Sequence, residues 1–155
     1  GSIAVNDGTI TVDENSAKGV FTINMNTLSV SKTPTKPGKE SSLEGHLKGE
    51  GWFNVEKFPE ASFTITEVVS RPDSDTTFQY DIKGELTMKG VTETLMFPAT
   101  IYLDNNGTLH AEANLEFDRT VWGITAGSGS FFDNLADNVI DNMVALSFNL
   151  VATKQ

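Results

Sequence analysis

The sequence predicts an all-β protein, and three observations carry the prediction. Apolar residues recur at every second position through most of the chain, which is the period of a half-buried strand. Turn-forming stretches, Lys89-Gly90 and Asp104-Asn105-Asn106-Gly107, interrupt these runs at hairpin spacing. Each strand then has one apolar face to cover, which consecutive antiparallel strands achieve by closing into a barrel or stacking as a sandwich.

The elements follow in chain order. In "GVFTINMNTLSV", Phe21, Ile23 and Met25 oppose Thr22, Asn24 and Asn26. The preceding stretch Thr11 to Lys18 is polar and reads as a turn. The rhythm then breaks at "KPGKESSLEGHLKGEGWFN", where Ser41 or Ser42 can cap, Leu43 and Leu47 lie four apart, and Gly49 and Gly51 stop the run. This predicts one short helix over a barrel opening. "ASFTITEVVS" alternates through Phe63 and Ile65, and "TTFQYDIKGELTM" through Phe78, Tyr80, Ile82, Leu86 and Met88. After Lys89-Gly90, Leu95, Phe97, Ala99, Ile101 and Leu103 share a face. Pro98 has no N–H for a ladder and so belongs at a bulge or an unpaired edge. Leu109, Ala111, Ala113, Leu115 and Phe117 form the next inner face, and Val144, Leu146, Phe148 and Leu150 the last. Between them "GSGSFFDNLADNVIDN" is irregular, with a further helical turn suggested by Leu135, Val139 and Ile140.

Composition excludes several partners. The chain has 155 residues, the size of one domain with a substantial core. Eleven Lys and Arg stand against 21 Asp and Glu, a formal charge of -10, which disfavours nucleic acid and anionic membrane surfaces. There is no cysteine, hence no disulfide, thiolate nucleophile or cysteine metal site. No apolar run approaches the roughly 20 residues that span a bilayer, so stable membrane insertion is not expected.

Catalytic motifs are equally sparse. His46 falls on the predicted helix and His110 on a polar strand face, with no further histidine to complete a metal set. "GSGS" at Gly127 to Ser130 lacks the lysine and the strand-to-helix context of a phosphate loop, and reads as a flexible loop at the barrel mouth. Trp52, Phe53 and Phe58 can plug the join between helix and barrel, with Pro59 fixing the turn. Asp118-Arg119 is either an ion pair at the barrel end or a headgroup clamp. The ion pair is favoured, because buried charge needs a partner. The ten phenylalanines are compatible with a filled core or with a cavity, and an apolar core serving only as a structural or interaction module stays open beside an enzyme and a carrier.

Three blocks in order, "HLKGEGWFNVEKFPEASFTITEV" from His46, "YDIKGELTMKGVTETLMFPATI" from Tyr80, and "FDRTVWGI" followed by "GSGSFFDNLADNVIDN", resemble the signatures of the YceI-like family, bacterial lipocalin-like proteins that bind isoprenoid lipids. The resemblance covers most of the chain and implies one domain over residues 1–155. The implied fold is an extended antiparallel lipocalin-like β-barrel of about eight strands in the family, here without the family's N-terminal strand, with one or two short helices. It further implies a long apolar channel for a hydrophobic small molecule, periplasmic or secreted localisation, frequent homodimers, no cofactor other than the bound isoprenoid, and no catalysis. Strand phase then nominates the channel residues Phe21, Ile23, Met25, Phe63, Ile65, Tyr80, Ile82, Leu86, Leu95, Phe97, Leu115, Phe117, Trp122 and Phe148. Trp52 or Trp122 would stack a quinone ring. A chain with only Arg71 and Arg119 as arginines suits a neutral headgroup better than a diphosphate.

Overall fold

The computed structural model describes residues 1–13, 16–34, 36–71, 79–132 and 139–153. Seven strands form one antiparallel sheet in sequence order: β1 Ser2–Asp13, β2 Ser16–Ser29, β3 Glu60–Ser70, β4 Tyr80–Met88, β5 Val91–Leu103, β6 Leu109–Asp118 and β7 Met143–Ala152. The sheet curls into a nearly closed barrel. A helix, α1 Glu40–Lys48, follows β2, and a 3-10 turn, Arg119–Trp122, follows β6.

Local chemistry accounts for the hairpins. Lys89 and Gly90 both take positive φ, 53° and 79°, which a two-residue hairpin turn matched to strand twist requires. At the β5–β6 connection Asp104 accepts from the N–H of Asn106 and Thr108 at 2.8 and 2.9 Å, and Gly107 supplies φ 77°. Thr11 to Lys18 departs from expectation. It is not a broad turn, because pairing continues from Thr11↔Lys18 to Asp13↔Ser16, and strand propagation on a paired neighbour outweighs the local polarity.

Two irregularities set which side chains face inward. β1 shifts register between Ser2 and Ala4 and again between Val5 and Asp7. β3 shifts between Ile65 and Glu67, with the Thr66 hydroxyl donating to the Lys83 carbonyl at 3.1 Å. Such bulges flip the phase beyond them, so Val68, not Glu67, joins the core side opposite Ile82. Pro98 lies one residue past Ala99↔Ala113, the pair at which the β5–β6 ladder ends, so its missing N–H falls where β6 no longer asks for one.

Helix α1 starts at Glu40, earlier than a cap at Ser41 or Ser42 would give, and Lys39 at the N-cap makes no side-chain cap bond. Glu40 instead accepts from the hydroxyl and N–H of Thr33 at 2.8 and 3.2 Å, and Glu44 from the Val30 N–H at 3.1 Å. The two carboxylates thus pin the β2–α1 connection to the helix. Gly49 ends it, as expected. Of the further helical turn, Leu135 and the rest of 133–138 lie outside the described residues, while Val139 and Ile140 are irregular and exposed. Phe78 also lies outside them.

Candidate functional site

The inner faces of the strands leave a cavity of about 440 Å³. Its lining is contributed by β1 to β7 and, apart from Ser147 and Asn149, consists of Ile, Val, Leu, Phe and Ala. Among the described residues no charged side chain lines it. Three of its rings form a contiguous belt on the wall: Phe63 lies 5.6 Å from Phe97, centroid to centroid, and Phe97 lies 5.7 Å from Phe148, edge-on. Beside the belt the wall is low, because β5 and β6 present Ala99 and Ala111 where longer side chains would fill the space.

Of the fourteen residues nominated by phase, ten are brought together around this cavity: Phe21, Ile23, Phe63, Ile65, Ile82, Leu86, Leu95, Phe97, Leu115 and Phe148. Met25, Phe117 and Trp122 are buried in the core but do not line it. Together with Val55, Met88 and Ile124 they belong to the same buried core as the cavity residues Ile65, Leu86 and Phe97. Tyr80 is half-buried at the start of β4, paired with Ser70 at the other end of the barrel. Met25, Phe117 and Tyr80 have the right phase and the wrong height, which alternation does not encode, and Trp122 lies on the 3-10 turn, outside any strand. Sequence reasoning missed Ile3, Val5 and Ile10 of β1, because the two register shifts destroy period-two spacing there. It also passed over Ala99, Ile101, Ala111, Leu146 and Leu150, which alternation had already placed on inner faces.

The end beside the 3-10 turn is filled and tied. The Trp122 indole N–H donates to the Leu86 carbonyl at 2.9 Å, and its ring meets Phe117 edge-on at 5.3 Å. Arg119 is almost wholly buried and its guanidinium donates to three backbone carbonyls: Asp141 at 3.0 Å, Ile124 at 2.6 Å and Ile140 at 3.1 Å. The same group lies 4.6 Å over the Trp52 ring. Trp122 is buried, Arg119 covers one face of Trp52, and neither tryptophan lines the cavity where a quinone would stack. The expected Asp118–Arg119 ion pair is replaced by this carbonyl clamp, since a buried fork of donors is satisfied by fixed acceptors. Burial lowers the Arg119 pKa, and the charges of Asp118 and Asp141 oppose that shift. The Asp118 carboxylate accepts from the hydroxyl and N–H of Thr120 at 2.6 and 2.8 Å, which hold its pKa below the ordinary aspartate range.

"GSGS" belongs to this tied end and not to a mouth. Ser128 is fully buried, its N–H donates to Thr125 at 3.0 Å, and the Ile140 N–H donates to Gly127 at 2.7 Å. Trp52 and Phe53 pack against the core as expected. His110 contacts Asp104 at 3.3 Å and stacks on Tyr102 on the outer face, while the His46 Nδ1 lies 2.7 Å from the Ser42 carbonyl on α1. Among the described residues no group of three His, Asp or Glu could hold a metal ion. Nor is any helix long and apolar enough to cross a membrane. A groove of about 520 Å³ on the outside of β5 to β7 is larger but more open, and it is lined by the polar residues Thr100, Glu112, Asn114, Ser147 and Asn149 beside Ala113 and Phe148. The apolar cavity, less open than this groove, is the better candidate site.

A family model described as "YceI-like domain" matches residues 1–152. Protein YceI of Escherichia coli O6:H1 is 36% identical over 96 residues, which is 61% of this chain and 44% of that protein. The match thus spans less than half of that relative's length. Among solved structures, BcnA of Burkholderia cenocepacia superposes with a TM-score of 0.69 at 21% identity, covering 95% of this chain and 83% of its own. A polyisoprenoid-binding domain from Saccharophagus degradans implicated in plant cell wall breakdown gives 0.61 at 14%, covering 95% and 82%. At such identities the likeness is one of fold.

Proposed function

The chain belongs to the YceI-like family, and from that membership we propose that it binds a hydrophobic isoprenoid lipid in its channel, sequestering or carrying the lipid without catalysing a reaction on it. The observation that carries this reading is the apolar cavity of about 440 Å³ inside the barrel, with no charged group in its lining among the described residues. That volume falls within the usual range for small-molecule sites. Burial of each methylene contributes about 0.8 kcal/mol, so several isoprene units give tight binding with no directed polar contact. The polyisoprenoid-binding domain of Saccharophagus degradans with the same fold supports the chemical class.

Within that class we favour a neutral lipid, of quinone type, over a diphosphate. A diphosphate asks for converging cations or free N–H groups, and desolvating it without them is expensive. Arg119 is committed to three carbonyls, and Arg71 lies 3.5 Å from Asp81. Ser147 and Asn149, the polar residues at the cavity wall, turn their side chains to the outer face, where they donate to Asn114 at 2.6 Å and Glu112 at 3.3 Å, so neither is free to pair with a charged headgroup inside. Export to the periplasm or beyond follows from the same family membership as part of the proposal. Titration of the delipidated protein with a quinone and a diphosphate of equal chain length tests it. Tighter quinone binding with little salt dependence is expected; tighter, salt-sensitive diphosphate binding would overturn the headgroup assignment.

A further inference from the structure

Two of the rings that line the channel rest on glycines. An ideal Cβ on Gly8 would lie 2.3 Å from Cδ1 of Phe21, 2.9 Å from Cε1 and 3.2 Å from Cγ, with no other atom nearer. A Cβ on Gly19 would lie 3.2 Å from Cε2 of the same ring. Across the sheet, a Cβ on Gly84 would lie 2.3 Å from Cζ and 2.7 Å from Cε2 of Phe63. Gly8 is the direct cross-strand partner of Phe21, and Phe21 of Phe63. The Phe21 ring therefore lies down toward β1, over Gly8, and the Phe63 ring toward β4, over Gly84. The two adjacent rings lean apart. Glycine in a strand interior weakens the strand and marks a close approach, and here what approaches is an aromatic face covering the bare backbone.

A phenylalanine on an inner face has two ways to lie, across the lumen or along the wall, and only a partner without a Cβ permits the second. We propose that Gly8, Gly19 and Gly84 set the bore of the channel by holding Phe21 and Phe63 against the wall, giving it width for a methyl-branched, isoprenoid-type chain where it would otherwise admit only an unbranched one. This deepens the lipid-binding proposal and rests on it. An apolar pocket resolves differences of a methyl group by shape alone, so these positions determine specificity without touching the lipid.

Gly8 is the clean place to intervene, because the obstruction there is the Phe21 side chain alone, whereas a Cβ on Gly84 also meets the Thr64 carbonyl at 2.6 Å. Delipidated wild-type, Gly8→Ala, Phe21→Ala and Gly8→Ala/Phe21→Ala proteins are titrated with farnesol and with an unbranched alcohol of equal carbon count. Gly8→Ala is expected to weaken farnesol about 10-fold, the size of a modest overpacking penalty, and the unbranched alcohol far less. Removing the ring as well restores farnesol to the affinity of Phe21→Ala. A crystal structure of Gly8→Ala with the Phe21 ring swung into the lumen supports the same mechanism without any ligand. Equal loss for both alcohols, no loss, no recovery in the double variant, or a ring still lying over position 8 overturns it. Wild-type protein that binds neither alcohol overturns the lipid-binding proposal beneath it, a result distinct from the others.

Discussion

Replacing Arg119 by Met tests the tie at the filled end of the barrel. Methionine keeps an apolar stem against Trp52 but removes donors to Ile124, Ile140 and Asp141. Ile140 and Asp141 are exposed residues, so their carbonyls can recover water. Ile124 is fully buried, and its carbonyl bears the cost of an unmade bond, about 1 to 3 kcal/mol. The other two carbonyls lose about 0.5 to 1.5 kcal/mol each, while the variant is relieved of desolvating a charge. The net expectation is about 2 to 3 kcal/mol of destabilisation, which for a chain of this size lowers Tm by roughly 4 to 12 °C. Circular dichroism melts measure it, with limited proteolysis after 123 as the local readout. Arg119→Lys is the control, since a lysine offers one point of donation and still buries its charge. It should be no better than Met. A Tm within about 2 °C of wild type, below what even one unmade bond costs, would refute the clamp, and full rescue by Lys would restore an ion pair with Asp118.

Phe97→Asp places an unpaired charge between Phe63 and Phe148 on a residue 5% exposed; thermal melts and lipid extraction should show a large loss of both stability and bound lipid. Ala111→Phe puts a ring into the cavity beside the belt, so isoprenoid affinity should fall about 10-fold or more, beside the loss of about 1 to 3 kcal/mol in stability that overpacking brings. Asp118 has a folded-state pKa below its ordinary value, so its contribution is present above the unfolded pKa and drains as pH falls through the folded one. Asp118→Asn should accordingly be less stable than wild type at pH 7 and lose less on acidification, as read from melts over an acid series.

Six of the seven strands, their phase and their hairpin turns were legible because they are local: Lys89-Gly90 requires positive φ, and Leu115 and Phe117 follow their neighbours by twos. The height of a side chain along the barrel is not local. Phe117 and Leu115 are indistinguishable by period, yet one packs beside Trp122 and the other lines the cavity. β1 was obscured by its bulges, which place Ile3, Val5 and Ile10 at the cavity at irregular spacing. Arg119 was misassigned because its acceptors, the carbonyls of Ile140 and Asp141, are more than 20 residues away in sequence, and backbone acceptors leave no mark in side-chain identity.

The lipid-binding claim is tested most directly by mass spectrometry of an organic extract of the protein purified from its native host, with protein concentration measured on the same sample. A neutral isoprenoid recovered in near-stoichiometric amount, and lost in Ala111→Phe, is the predicted result. An extract without isoprenoid, from a protein whose delipidated form also fails to take up a quinone or a polyprenyl chain, would contradict it.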